Sequence, residues 1–166
     1  MQNNRLKYGL IAGTGTVLYL LAFYGVSPRL MLSSWVMWGS LVIYLACMTL
    51  ACRRERSATT GGYPFQSALK TAFTVFVIAN VIYYVFYYVL FNVIDPGLAD
   101  LQRELVLENM DRYAGMLGEE NAEELMRRYE EEDFRVTLSN TALGFAQSLI
   151  GGFILALIVA GVMKRG

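Results

Sequence analysis

A chain of 166 residues suits a single domain, yet 55% of it is apolar, only 17% is charged, and the mean hydropathy is +0.40. Soluble domains carry about a quarter charged residues, so the composition excludes an ordinary water-exposed globule. Zero net charge argues against a nucleic-acid surface, and the absence of histidine removes imidazole metal ligands and the usual Ser-His and Cys-His nucleophile pairs.

Charges are missing from residues 8–28, 30–52, 71–94 and 136–163. Each stretch reaches the roughly 20 residues needed to cross a hydrocarbon core about 30 Å thick. The expected spans are residues 8–28, 31–52, 67–94 and 137–163, within one membrane domain covering 1–166. The first stretch has a competing reading as a cleaved signal peptide, since Arg5 and Lys7 precede it. Its apolar core is longer than a signal core and no small-x-small site follows, so a retained span is expected.

Span one carries Gly9 and Gly13, four residues apart, where a neighbouring helix can approach closely. The Ser27-Pro28 step stops that helix, and the short link makes spans one and two antiparallel neighbours. Cys47 and Cys52 in span two point to different sides and cannot form a disulfide with one another. The following loop is a cationic anchor with a Gly-Gly break, and Pro64 is placed to start a helix running to Ile94. Tyr83, Tyr84, Tyr87, Tyr88 and Phe91 crowd the end of span three. Anchoring and packing at the headgroup level is the expected role of these rings, with a hydrophobic-ligand groove as the alternative.

Residues 95–135 hold thirteen of the fourteen acids against five bases; Glu55 is the only acid elsewhere. Asp95-Pro96 signals a helix start, Leu101, Leu105 and Tyr113 follow at roughly helical spacing, and Gly118 breaks the pattern. A second helix with Leu125 and Tyr129 on one face completes an acidic hairpin, and running on without a break into span four would spare its acids a helix end. Glu119, Glu120, Glu123, Glu124 and residues 130–133 lack the spacing of a calcium loop, so a solvated helix face is expected and no metal or cofactor. Span four repeats small residues every four positions: Gly144, Ser148, Gly152, Ala156 and Ala160. Such a face meets a partner helix, either within the chain or in a second copy.

The N-terminus, the loop after span two and the C-terminus carry the Lys and Arg excess, which predicts cytoplasmic termini and an outward acidic segment. No Asp, Glu, Lys or Arg falls inside the four charge-free stretches, which weighs against ion- or proton-coupled transport. Two amides do, Asn80 and Gln147. Counted inward from Ile94 and Thr141 they lie about 12 Å apart in depth, so two local interhelical contacts are expected rather than one shared site.

Residues 65–71 (Phe-Gln-Ser-Ala-Leu-Lys-Thr), the tyrosine-rich third span, residues 87–96 (Tyr-Tyr-Val-Leu-Phe-Asn-Val-Ile-Asp-Pro), the Glu-rich hairpin and the small-residue last span together resemble a bacterial family, domain of unknown function 4199, found largely in Bacteroidota. The resemblance implies a four-span protein of the inner membrane, with residues 95–135 in the periplasm, and it implies no activity or site residues. The resulting expectation is an all-α, integral membrane four-helix bundle with an extramembrane acidic helical hairpin between spans three and four. Its surroundings are the lipid bilayer, with a homo-oligomer or envelope protein as partner and no nucleic acid. Functionally it reads as a non-enzymatic interaction module using Leu101, Leu105, Tyr113, Leu125 and Tyr129; the alternative is a small carrier or channel for an uncharged or lipidic substrate.

Overall fold

The computed structural model describes residues 2–59, 63–117, 127 and 136–164. Among them the chain is helical and contains no strand. Helix α1 (Gln2–Val26) is followed by a one-turn helix α2 (Pro28–Met31), then α3 (Ser34–Ser57), α4 (Phe65–Val89), α5 (Leu98–Leu117) and α6 (Leu138–Lys164). Four of these are long and apolar enough to cross a membrane: Asn3–Val26, Ser34–Ser57, Phe65–Ile94 and Leu138–Met163. Leu18, Val42, Val85, Ile150 and Val162 are each more than half exposed, an apolar surface that suits lipid rather than water. The chain is a multi-pass membrane protein.

Helices α1 and α3 outrun their expected spans the furthest. Helix α1 begins six residues before Tyr8, and α3 continues five residues past Cys52. Arg and Glu end a hydropathy window, but they are good helix formers and do not end a helix. Helix α4 keeps its expected C-terminal limit but closes in a π-type turn over Leu90–Ile94, in which the Asp95 N–H bonds the Leu90 carbonyl five residues back. Pro64 stands just outside α4, its carbonyl accepting from the Ser67 and Ala68 amides.

Helices α1, α3, α4 and α6 form one compact unit, residues 1–87 with 138–166, and residues 88–137 form a second. In the first, α1 packs on α3. Gly9 and Gly13 of α1 lie against Ile78, Ala79 and Ile82 of α4. Helix α6 packs on α3 and, through Gly144 and Gly152, against Tyr84 and Phe76 of α4. The small-residue face of span four therefore meets span three of the same chain, and its lower part, Ala156 and Ala160, is fully buried. Side chains of modest size fill the core: Ala12, Cys47, Met48, Ala51, Cys52, Ala68, Ala72, Val75, Ala79 and Val159. Small residues suit a membrane core, because helices in lipid associate through close packing with little hydrophobic drive.

In the second unit, α5 starts two residues later than the Asp95-Pro96 signal, after a turn at Pro96-Gly97. Leu98 is buried, and Leu101 and Leu105 are half-buried. The side chain of Tyr113 and all of Leu125 and Tyr129 lie outside the described residues, as does most of the expected second arm. Helix α6 is not a continuation of that arm: Val136 and Thr137 leave helical geometry, and the Asn92 amide donates to the Val136 carbonyl at 2.8 Å. Thr137 occupies the position where threonine favours a helix start.

Candidate functional site

The first unit carries a pocket at one end and a buried ion pair at the other. The pocket, about 410 Å³, lies among α3, α4 and α6. Trp38, Ser40, Leu41 and Tyr44 contribute from α3, Phe76, Asn80, Tyr83 and Tyr84 from α4, and Ser148, Gly151, Gly152 and Ile154 from α6. Glycine makes room for it: a Cβ at Gly152 would fall within the Phe76 ring, so ring and helix meet there at backbone distance. Trp38, Gly151 and Ile154 are exposed and mark the mouth.

The lining has no formal charge. Its polar groups are two serines, three tyrosines and Asn80, which is buried and donates to Ser148 Oγ at 2.5 Å; that hydroxyl in turn donates to the Phe145 carbonyl at 2.6 Å. Asn80 thus meets residue 148 rather than 147, and Gln147 points outward, exposed. The depth count erred in its zero: with residue 80 level with residue 148, Ile94 and Thr141 do not mark one level. The ring pairs Tyr83–Tyr84 (5.2 Å), Tyr83–Tyr87 (5.9 Å) and Tyr84–Phe145 (5.7 Å) tie the tyrosine cluster together beside the pocket. Tyr83 and Tyr84 thus pack against neighbouring rings and also line the pocket. The Ser148→Ala variant is expected to lose only about 0.6 kcal/mol of stability, the mean for interhelical hydrogen bonds in lipid, as read by unfolding in micelles.

At the opposite end, Glu55 of α3 is 1% exposed. The Arg5 guanidinium of α1 grips it with both arms, Nε to Oε1 at 2.8 Å and Nη2 to Oε2 at 2.9 Å. Thr71 Oγ1 of α4 lies 2.5 Å from Oε2, and the Tyr63 hydroxyl 3.2 Å from it and 3.1 Å from Thr71 Oγ1. Bidentate, charge-assisted bonds of this kind are the strong ones. Burial pushes the Tyr63 phenol above its ordinary value, so it remains a donor. Cys52, one turn before Glu55, directs its thiol at the Ala68 carbonyl of α4 at 3.5 Å.

Arg5, Glu55 and Tyr63 lie outside the expected spans, and nothing in the hydropathy pattern joins them to Thr71. By charge count alone Arg5 is an orienting charge and Glu55 part of a cationic anchor. The available signal was that Glu55 is the lone acid of an otherwise basic remainder. Such an acid, five residues past an apolar run, calls for a specific partner. Among the described residues no group of histidine, cysteine or carboxylate side chains could hold a metal.

No curated protein and no solved structure matches the chain. The family model described as "Protein of unknown function (DUF4199)" matches residues 7–165. On that near-complete match, the chain belongs to the DUF4199 family, as residues 65–71 and 87–96 had led one to expect.

Proposed function

We propose that this protein is a membrane carrier for an uncharged, lipidic molecule, which it holds in the pocket around Asn80. The observation that carries the reading is the pocket itself: largely apolar walls, a few convergent polar groups, no charge, and a mouth flanked by the exposed Trp38, Gly151 and Ile154. Pockets of a few hundred Å³ with this lining are characteristic of small-molecule sites. A charged solute would find no counter-ion in it. A hydrocarbon chain would meet Phe76, Leu41 and Leu155, with an uncharged polar end at the Asn80 amide. Positive flanks at both termini and after α3 support a topology with cytoplasmic termini, placing the pocket in the outer half of the membrane and residues 95–135 in the periplasm of a bacterial inner membrane.

Gly151 offers a clean test. It lines the pocket, and a Cβ there meets no atom within 4 Å. The Gly151→Phe variant is expected to fold and to lose the ligand, because the ring fills the space. Native mass spectrometry of protein released from mild detergent should show a lipid-sized adduct on the wild type and none on the variant. Equal adducts on both, or none on either, would count against a carrier.

A further inference from the structure

The Arg5–Glu55–Tyr63–Thr71 cluster, we infer, is a latch that keeps the pocket shut toward the cytoplasmic end of the bundle, and its release opens a seam past Cys52. The inference rests on the pocket reading for what the seam leads to, but the latch can be tested without it.

Between the pocket floor at Phe76 and the cluster lie the small Ala51, Cys52, Ala68, Ala72, Ala156 and Ala160, with Met48, Val159 and Met163 among them, all buried. Small side chains interlock little, so a modest shear of α3 against α4 could part them; shear of packed helices is an established mode of opening. What opposes that shear is polar. One carboxylate on α3 takes bonds from Arg5 on α1, from Tyr63, and from Thr71 on α4. Apolar residues of similar volume would hold three segments together at least as stably, whereas a buried ion pair adds a register that holds or fails as a unit. The pair is also lopsided: Arg5 keeps 13% of its surface exposed and Glu55 only 1%. The guanidinium therefore has a way out, toward water or a lipid phosphate, while the carboxylate has none. Ala68 lies one turn from Thr71 on the same helix, so loosening Thr71 also loosens the Cys52–Ala68 contact.

Cys47 and Cys52 are the only cysteines in the chain, and both are buried thiols. With Cys47→Ser as background, Cys52 reports the seam. Full-length protein in lipid nanodiscs, treated with a water-soluble maleimide, should label slowly when otherwise wild type and at least tenfold faster with Glu55→Gln. Thr71→Val, which removes one donor and keeps the shape, should give a several-fold increase and serves if Glu55→Gln does not fold. A Met48→Ala variant controls for general loosening, since Met48 is fully buried in the same core and no part of the cluster. Unchanged labelling in folded Glu55→Gln or Thr71→Val overturns the latch. So does equal acceleration in Met48→Ala at a matched unfolding midpoint. If labelling responds as expected but no lipid adduct is retained by the wild type, the latch stands and the carrier reading alone falls.

Discussion

Replacing Arg5 by methionine is expected to destabilise the protein by about 3–5 kcal/mol, the cost of leaving a buried charge without its partner. The methionine keeps most of the aliphatic stem, so the loss is electrostatic. The Glu55 carboxylate is left at 1% exposure with two hydroxyls for company. The complementary change should be milder. Glu55→Gln leaves Arg5 partly exposed and free to turn toward water or lipid phosphates, so about 1–3 kcal/mol is expected from the lost charge-assisted bonds. Combining the two removes both charges, and the double variant should be more stable than Arg5→Met alone. Denaturant unfolding in micelles measures all three. Additive losses, with the double variant the least stable, would mean that the two side chains do not interact. The asymmetry also matters for the latch, because it makes Glu55→Gln the variant that releases the cluster with the bundle still folded.

The second large effect is expected at Gly13. A Cβ there would sit 2.8 Å from the Ile82 Cβ and 3.1 Å from the Ala79 Cα, atoms that no side-chain rotation can move aside. At Gly9 the Ile78 Cβ is 2.7 Å away. Accommodation would require α1 and α4 to separate along their contact, so Gly13→Val should cost about 3 kcal/mol, the upper part of the range for overpacking. Adding Gly9→Val should prevent the bundle from assembling. Gly25 and Gly161 provide the contrast, since a Cβ at either meets nothing. Alanine there should change stability by no more than about 0.5–1 kcal/mol, in the stabilising direction inside the α6 helix. Unfolding midpoints and the monodisperse fraction on size exclusion compare the four positions. A Gly13→Val protein as stable as Gly161→Ala would refute the close approach of α1 and α4.

Much of the architecture was legible one residue at a time. Whether a stretch such as 137–163 crosses a bilayer depends on its own transfer free energy, a nearly additive property of its side chains, so the number and rough extent of the spans follow from the sequence alone. The need for a close neighbour at Gly9, Gly13 and along Gly144, Ser148, Gly152, Ala156 and Ala160 is equally local, because a missing side chain is visible in the letters. Which neighbour is not local. That Gly9 and Gly13 meet Ile78 and Ile82, and that Gly152 meets Phe76, depends on how four helices rotate and slide against each other. In lipid that arrangement is decided by packing summed over the whole bundle. The same freedom put Asn80 beside Ser148 and left Gln147 facing out, a difference of one residue that no depth count could resolve. The pocket is a void between three helices, and a void has no sequence of its own. The ion pair is the sharpest case: Arg5 and Glu55 stand fifty residues apart in groups of charges that look alike, and only the folded bundle singles out one of each and dries the carboxylate between them.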